Sequence, residues 1–405
     1  MFRLRAMGQE RTAGAALLVA FAASFSAPAS AEQKPVVIGG TLGLTGAYAE
    51  PSADYKAVYD LWLGQVNQKG GLLGRPVKMI LYNDESTPTV AQALYNRLLD
   101  QDQVDLVLAP YTTFVGGAIV PIVMSHRKIL FNGGFVGINI FRNNKGWIVG
   151  TYTYQEPDYT RGVFELIKAL PENKRPRRAA IFTSQNPFTV VVRSGIDGVG
   201  GARNFAQAAG VSVVVDEQYP PNTTDFTALV QKAKAANADI LLQLGLPNDS
   251  LQVARTVRQQ GYNPSIFCMC GSQVTTLSAW PKLGPAAEGV FGTSVSWPTQ
   301  GHPGLADLAA AFKARGYETL PSYAVVGYAI LQVLEQAVEG TKALDQEKLK
   351  EFIHSHEFKT VAGNLRYLND GTPAFSQVLL QYVKGKNQVV WPREFQTAAP
   401  VFPTP

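Results

Sequence analysis

Residues 52–101 read "SADYKAVYDLWLGQVNQKGGLLGRPVKMILYNDESTPTVAQALYNRLLDQ". Tyr55, Val58, Tyr59, Trp62 and Val66 recur at spacings of three and four, the stripe of a half-buried helix, and Gly70 stops it. "PVKMILY" follows as a strand. "TPTVAQALYNRLLDQ" is a second helix, with Thr87 as its candidate cap and Pro88 in its first turn. Between the first helix and the strand, "GGLLGRP" is a turn that needs the positive backbone dihedrals glycine tolerates. Asp84 and Glu85 flank the start of the second helix, where acidic groups suit the helix dipole. Flanked by the strands "VVIGG" (36–40) and "VDLVLAP" (104–110), the stretch is a β-α-β-α-β unit.

The alternation continues outward. "VGGAIVPIVMSH" reads as a helix and "KILFN" as a strand. A second set of strands follows, "RRAAIFT" (177–183), "VSVVVDE" (211–217), "ADILLQL" (238–244) and "SIFCMC" (265–270), with helical runs between them. These strands are nearly continuously apolar, as in parallel sheets covered on both faces. A helical return comes next, including "PSYAVVGYAILQVLEQAVEG". "AFSQVLLQYVKGKNQVVWP" then alternates as an antiparallel hairpin about Gly-Lys-Asn. The expected fold is α/β, with two Rossmann-like lobes. Ligands of such sheets sit beyond the carboxyl ends of the strands, so facing lobes would enclose a cleft.

The first 31 residues read as a secretory signal peptide: Arg3, Arg5 and Arg11, then "GAALLVAFAASFSA", then an Ala-Ser-Ala site ending at Ala31. Cleavage there leaves 374 residues (405 − 31), and the formal charge falls from +5 to +3 as three arginines and one glutamate leave. An exported, periplasmic chain is expected. The basic residues are scattered, with "KRPRR" (174–178) as a solvated loop, so nucleic-acid binding is not expected. Cys268 and Cys270 are read as small packing residues, because pairing two positions apart strains a disulfide. His354 and His356 read as an exposed helix end, and no histidine lies near the cysteines in sequence, so no metal is expected. "GLTGAYAEP" after the first strand lacks the dinucleotide fingerprint, and hydrolase and nucleotide-triphosphate motifs are missing from the sequence. Neither a cofactor nor an enzymatic activity is expected.

"NQKGGLLGRPVKMILYNDESTPTVAQA" (67–93) resembles the N-terminal signature of the leucine/isoleucine/valine-binding protein family, periplasmic solute-binding proteins of ABC importers. "DEQYPPNTTDFTALVQKAKAANADILLQLG" (216–245) is similar to a stretch of that family's second lobe, and "VKGKNQVVWP" to its C-terminal hairpin. The resemblance implies the type I periplasmic-binding-protein fold, with three crossover segments and hinge closure on a small solute. It implies a signal peptide over 1–31, an N-terminal lobe of 32–153 with 298–358, and a C-terminal lobe of 154–297 with 359–398. It also implies an inner-membrane ABC permease complex as partner and a monomeric state.

The same resemblance supplies candidate ligand-binding residues. The loop that presents hydroxyls and helix amides to a ligand carboxylate is here "YTTFVGG", giving Tyr111, Thr112 and Thr113. A helix N-terminus suits an anion. The next contact loop is "NGGFVGI", so Gly134, Phe135 and Val136 stand where relatives hold amino-acid backbone groups. In the second lobe, Phe188 and Leu246 fall near positions that relatives fill with aromatics. The acid that neutralises a ligand ammonium would fall in "CGSQV", which offers Ser272 and Gln273 but no carboxylate; Asp158 is the one substitute in reach of the alignment.

A buried ammonium without an anionic partner is costly, several kcal/mol in round terms. The expected cargo is therefore a small carboxylate with an aromatic or hydrophobic body, with Tyr154, Asn248, Ser272 and Gln273 available to a distal hydroxyl. Arg161 and Arg193 are further candidate carboxylate partners. Two alternatives stand beside this: binding of a branched-chain or other hydrophobic amino acid, and a sensor ectodomain or amide-type regulator.

Overall fold

The computed structural model describes residues 34–221 and 223–403. The signal-peptide reading falls on residues outside that range. In chain order the first half runs β1 (Val36–Leu42), α1 (Ala49–Gln68), β2 (Val77–Asn83), α2 (Pro88–Asn96), β3 (Leu106–Leu108), α3 (Thr113–Ser125), β4 (Leu130–Asn132), α4 (Ile138–Asn143) and β5 (Ile148–Gly150). The second runs α5 (Arg161–Ala169), β6 (Arg178–Ser184), α6 (Pro187–Ser194), α7 (Ala202–Ala208), β7 (Ser212–Tyr219), α8 (Thr227–Ala235), β8 (Ile240–Leu244), α9 (Pro247–Gln259), β9 (Ile266–Met269) and β10 (Phe291–Ser294). The return comprises α10 (Leu305–Lys313), α11 (Ser322–Thr341), α12 (Gln346–Ser355), β11 (Glu357–Thr360), β12 (Gly363–Arg366), β13 (Val378–Val383) and β14 (Lys386–Trp391).

Among the described residues, one sheet has five strands in the order β2-β1-β3-β4-β5, all parallel. The other has seven, β14-β13-β10-β9-β8-β6-β7, parallel from β10 to β7 and closed by the antiparallel β13–β14 hairpin. β11 and β12 form a separate antiparallel pair. The chain passes between the two sheets after β5, after β10 and after β12, which gives the three crossovers of a type I binding-protein fold. Among the described residues, no helix is long and apolar enough to cross a membrane.

The residues of the opening quotation do as their spacing predicts. Tyr55, Val58, Tyr59, Trp62 and Val66 are all buried on α1. Each such side chain contributes roughly 1.5–3 kcal/mol by leaving water. α11 packs against them: Gly327 leaves room for the Tyr55 ring, and Trp62 Nε1 donates to Glu335 at 2.9 Å. The return helix thus completes the first lobe. Asp84 is buried and ties two strands, accepting from the Thr41 hydroxyl at 2.7 Å and from the Ser86 N–H at 3.0 Å. Thr87 does not cap α2 with its side chain; its hydroxyl donates to the Glu85 carbonyl instead.

Three local expectations are corrected. The hairpin turns on Lys384 and Gly385, both at positive φ, one residue earlier than the Gly-Lys-Asn reading, because a two-residue turn of this hand fits the strand twist. Cys268 and Cys270 form a disulfide rather than merely packing. The chain leaves β9 after Met269, which brings their Cα atoms to 5.3 Å, inside the range disulfides use. His354 is half-buried, with Nε2 at 3.0 Å from the Gly146 carbonyl, while His356 is exposed and stacks on Phe352.

Candidate functional site

A cavity of about 420 Å³ lies between the two sheets, within the size range of small-molecule sites. Its wall is built from segments that follow strands at their carboxyl ends. Ala47 and Tyr48 come after β1, Tyr111 to Phe114 after β3, Gly134 to Val136 after β4, and Tyr152 after β5. From the second sheet, Ser184 to Phe188 come at the end of β6, Leu246, Asn248 and Asp249 after β8, and Gly271 to Gln273 after β9. This is where parallel α/β sheets place ligands.

The head of α3 carries the most distinctive backbone geometry of the first wall. The Thr112 hydroxyl accepts from the Val115 N–H at 3.4 Å and so caps the helix. Thr112 stands at φ 74° and ψ 147°, a conformation a β-branched residue rarely adopts. Such strain collects at ligand clamps. The amides of Thr113 and Phe114 have no acceptor among the described residues. They face the positive end of the helix dipole. The Thr113 hydroxyl, by contrast, donates to the Val136 carbonyl at 2.7 Å.

The loop after β4 is held by Asn132, whose Oδ1 accepts from the N–H groups of Gly134 and Phe135, at 3.0 and 2.9 Å. Gly134 belongs to the cavity wall, but its missing side chain serves the neighbouring strand: a Cβ there would collide with the Pro110 carbonyl. Phe135 also touches the cavity, yet its ring packs beneath α3 against Gly116 and Phe141, and it is 2 % exposed.

Aromatic side chains from distant parts of the chain supply the apolar surface. Tyr48, Tyr111 and Tyr323 meet edge to face, at 5.7 and 5.3 Å between ring centres, and Tyr159 meets Phe188 at 5.0 Å. The Tyr323 hydroxyl accepts from Tyr111 at 3.1 Å and from the Gln273 N–H at 3.4 Å. Its own proton has no acceptor among the described residues. Burial pushes its pKa up to about 12, so it stays a neutral donor.

Of the expected residues, Tyr111, Thr112, Thr113, Gly134, Phe135, Val136, Phe188, Leu246, Asn248, Ser272 and Gln273 come together in this wall. Tyr154 and Asp158 do not. Tyr154 is buried behind Tyr159, edge-on at 4.7 Å. Asp158 pairs with Arg161 at 2.9 Å, and that guanidinium also covers Phe375, so neither serves the cavity. Arg193 is likewise engaged outside it, with Asp216 at 2.6 Å.

The expectation that the cavity lacks a carboxylate is also corrected. Asp249, in the first turn of α9, lines it and among the described residues is the one charged side chain that does. Burial raises its pKa, while hydrogen bonds from Ser184, Tyr219 and the Leu246 N–H oppose that rise. Tyr219 donates to its Oδ2 at 3.2 Å and is itself held by Gln243 at 2.7 Å. Asp249 stands in the sequence beside Leu246 and Asn248; its helix-start position three residues after the loop was the signal that could have included it. Tyr48, Tyr152 and Tyr323 carry no such local signal.

Comparisons with known proteins agree with this architecture. A periplasmic binding protein family model matches residues 35–387. The Leu/Ile/Val-binding protein homolog 7 of Brucella abortus is 24% identical over 392 residues, covering 93% of this chain and 96% of its own. Among solved structures, the solute-binding protein of an ABC transporter from R. palustris in complex with benzoate superposes with a TM-score of 0.76 at 18% identity, over 88% of this chain and 96% of that one. The branched-chain amino acid transporter substrate-binding protein LivJ of Streptococcus pneumoniae, in complex with isoleucine, gives a TM-score of 0.73 at 17% identity, over 91% and 100%. With a match that spans both sheets and the cavity between them, this chain belongs to the periplasmic binding protein family.

Proposed function

We propose that the protein is the exported binding component of a branched-chain-amino-acid-type ABC importer, and that it closes on a small carboxylate with an aromatic or hydrophobic body. It would work in the periplasm, after removal of the leader at Ala31, and deliver its cargo to an inner-membrane permease. The observation that carries this reading is the head of α3, where the amides of Thr113 and Phe114, unengaged among the described residues, and the strained Thr112 face a cavity that no described basic side chain lines. Helix amides and hydroxyls are a sufficient receptor for one carboxylate. The tyrosine rings and Phe188 offer flat apolar contact to the rest of the ligand. Benzoate and isoleucine, held by the two solved neighbours, share a carboxylate on an apolar body. Asp249 supports a second reading, a hydrophobic amino acid whose ammonium it would face.

Calorimetry with benzoate, a phenylpropanoid acid, leucine and valine tests the proposal. The expected result is binding of the aromatic acids, with compaction in small-angle scattering as the lobes close. Tight leucine binding with no response to either aromatic acid would select the second reading.

A further inference from the structure

Neither cysteine of the disulfide lines the cavity, yet the bond sits directly before residues that do. Cys268 lies inside β9, paired with Leu242 of β8 on one side and Phe291 of β10 on the other. Cys270 lies just past the strand end, and Gly271, Ser272 and Gln273 continue from it into the wall. The bond therefore joins a residue held by two neighbouring strands to the first residue of the turn. Two extended residues advance the chain by about 6.6 Å. Here the Cα atoms stand 5.3 Å apart, so the chain contracts as it leaves the sheet. The N–H groups of Cys270 and Gly271 both donate to the Gln243 carbonyl, at 3.0 and 3.1 Å, where a regular ladder has one donor.

The size of the ring limits what the bond can do. Loop-closure entropy grows with the logarithm of loop length, so a disulfide between positions two apart restrains the unfolded chain very little. Its contribution to global stability is correspondingly small. Its effect on the native backbone is local: it holds the direction in which the chain leaves β9.

What it directs is closely fitted. A Cβ on Gly271 would meet the Gly245 nitrogen and the Leu244 carbonyl carbon, so the loops after β8 and β9 run backbone against backbone. Gln273 then reaches the return helix of the first lobe. Its N–H donates to the Tyr323 hydroxyl at 3.4 Å, and its side-chain oxygen accepts from the Ser322 hydroxyl at the start of α11. Tyr323 in turn accepts from Tyr111 at 3.1 Å. A change in the exit from β9 therefore reaches both walls of the cavity. Holding a binding loop in its bound conformation raises affinity, because less ordering is left for the ligand to impose.

We propose that the Cys268–Cys270 disulfide is a positioning element of the cavity, and that opening it lowers cargo affinity without a comparable loss of fold stability. The inference rests on the reading of this cavity as the cargo site. The periplasmic setting of that reading is oxidising and keeps such a bond closed.

The test compares the oxidised full mature chain with the same chain unfolded and refolded under dithiothreitol. The reagent becomes a cyclic disulfide and leaves thiols at Cys268 and Cys270, with every other side chain unchanged. Hydrogen exchange reads the wall with no ligand present. The hydrogen-bonded amides of Gly271 and Gln273 should exchange about tenfold or more faster in the reduced chain, with β1 and β3 unchanged. The midpoint of denaturant unfolding should hardly move. Calorimetry with benzoate and with leucine reads affinity. Whichever binds the oxidised chain should bind the reduced chain about threefold to tenfold more weakly, the loss expected if the wall keeps its binding arrangement for roughly a third to a tenth of the time. Re-oxidation of the same sample should restore affinity, and the Cys268→Ala/Cys270→Ala chain should match the reduced one. Unchanged exchange at Gly271 and Gln273, or unchanged affinity, overturns the proposal. So does failure to refold, or a uniform rise in exchange across both lobes, since either makes the bond a staple of the whole fold. If neither benzoate nor leucine binds the oxidised chain, the cargo reading fails and the affinity claim with it, while the exchange result still decides whether the bond positions the wall.

Discussion

The Thr113 hydroxyl donates to the Val136 carbonyl at 2.7 Å, which fastens the head of α3 to the loop after β4. That bond changes what Thr113 is for. Its proton is already committed, so under the proposed carboxylate reading its contribution to a ligand would be its backbone N–H, while its side chain holds two parts of the wall in register. Thr113→Val keeps the branched shape and leaves the Val136 carbonyl unmatched. The expected cost is about 1–2 kcal/mol of folding stability, read by denaturant unfolding, with weaker carboxylate binding as a consequence. Unchanged stability with a loss of binding would mean that the hydroxyl bonds the ligand directly.

Thr112 presents the opposite balance. Its positive φ costs on the order of 1–3 kcal/mol, while exchanging a threonine cap for glycine costs only a few tenths. Thr112→Gly is thus expected to raise stability by about 1 kcal/mol and to weaken carboxylate binding through loss of the hydroxyl. Thr112→Ala keeps the strain and loses the cap, so it should destabilise. If glycine and alanine destabilise alike, the strain argument fails.

Much of this was legible in the sequence, for a physical reason. Strands buried on both faces are written as unbroken apolar runs, and α1 carries its core face in plain spacing, so the lobes and the strand ends could be placed. The family resemblance, laid on the loops after those strand ends, then supplied Thr112, Gly134, Leu246 and Ser272 as candidates, and all four line the cavity. What could not be read was the direction of individual side chains. "NGGFVGINIF" looks like an oily ligand loop, but Gly116 opens a slot under α3 that takes the Phe135 ring inward, and Gly134 yields to the Pro110 carbonyl. Tyr323 enters the cavity through tertiary placement, far in sequence from the loops it faces, whereas Asp249 follows Leu246 and Asn248 directly and was legible from its place at the start of α9. The disulfide depends on a bend after Met269 that no periodicity announces.

Gly134→Ala tests the packing account of that loop. The new methyl would meet the Pro110 carbonyl, part of a backbone that cannot swing away. A cost of about 1–3 kcal/mol is expected, typical of overpacking. Stability within about 0.5 kcal/mol of wild type, with impaired binding, would return the glycine to the ligand.

Glu50, at the start of α1, accepts from the Ala279 N–H at 3.1 Å and lies 3.5 Å from the Ser278 hydroxyl. Ser278 and Ala279 follow β9 in the second lobe, so this carboxylate bridges the lobes outside the cavity wall. Glu50→Ala should favour separation of the lobes. Ligand affinity should fall by roughly threefold to tenfold, equivalent to about 1 kcal/mol, and the unliganded chain should scatter as a larger particle. Affinity and particle size both unchanged would remove Glu50 from closure.

Asp54, on α1 beside Glu50, is 3% exposed, and its Oδ2 has no partner among the described residues. Burial first, and the Glu50 charge second, raise its pKa well above the usual 3.8. In the unfolded chain the group ionises near that usual value. Between the two values the fold holds a proton that the unfolded chain has released. The stability Asp54 contributes is therefore fully present below about pH 3.8 and is lost as pH rises through the folded-state value. Above it, the native protein carries an unpaired buried charge. Asp54→Asn keeps the shape and removes the titration. The melting temperature of the variant minus that of wild type should thus be small near about pH 4 and grow in favour of asparagine towards about pH 8. A difference that stays constant over this range would show that Asp54 is solvated or paired in solution.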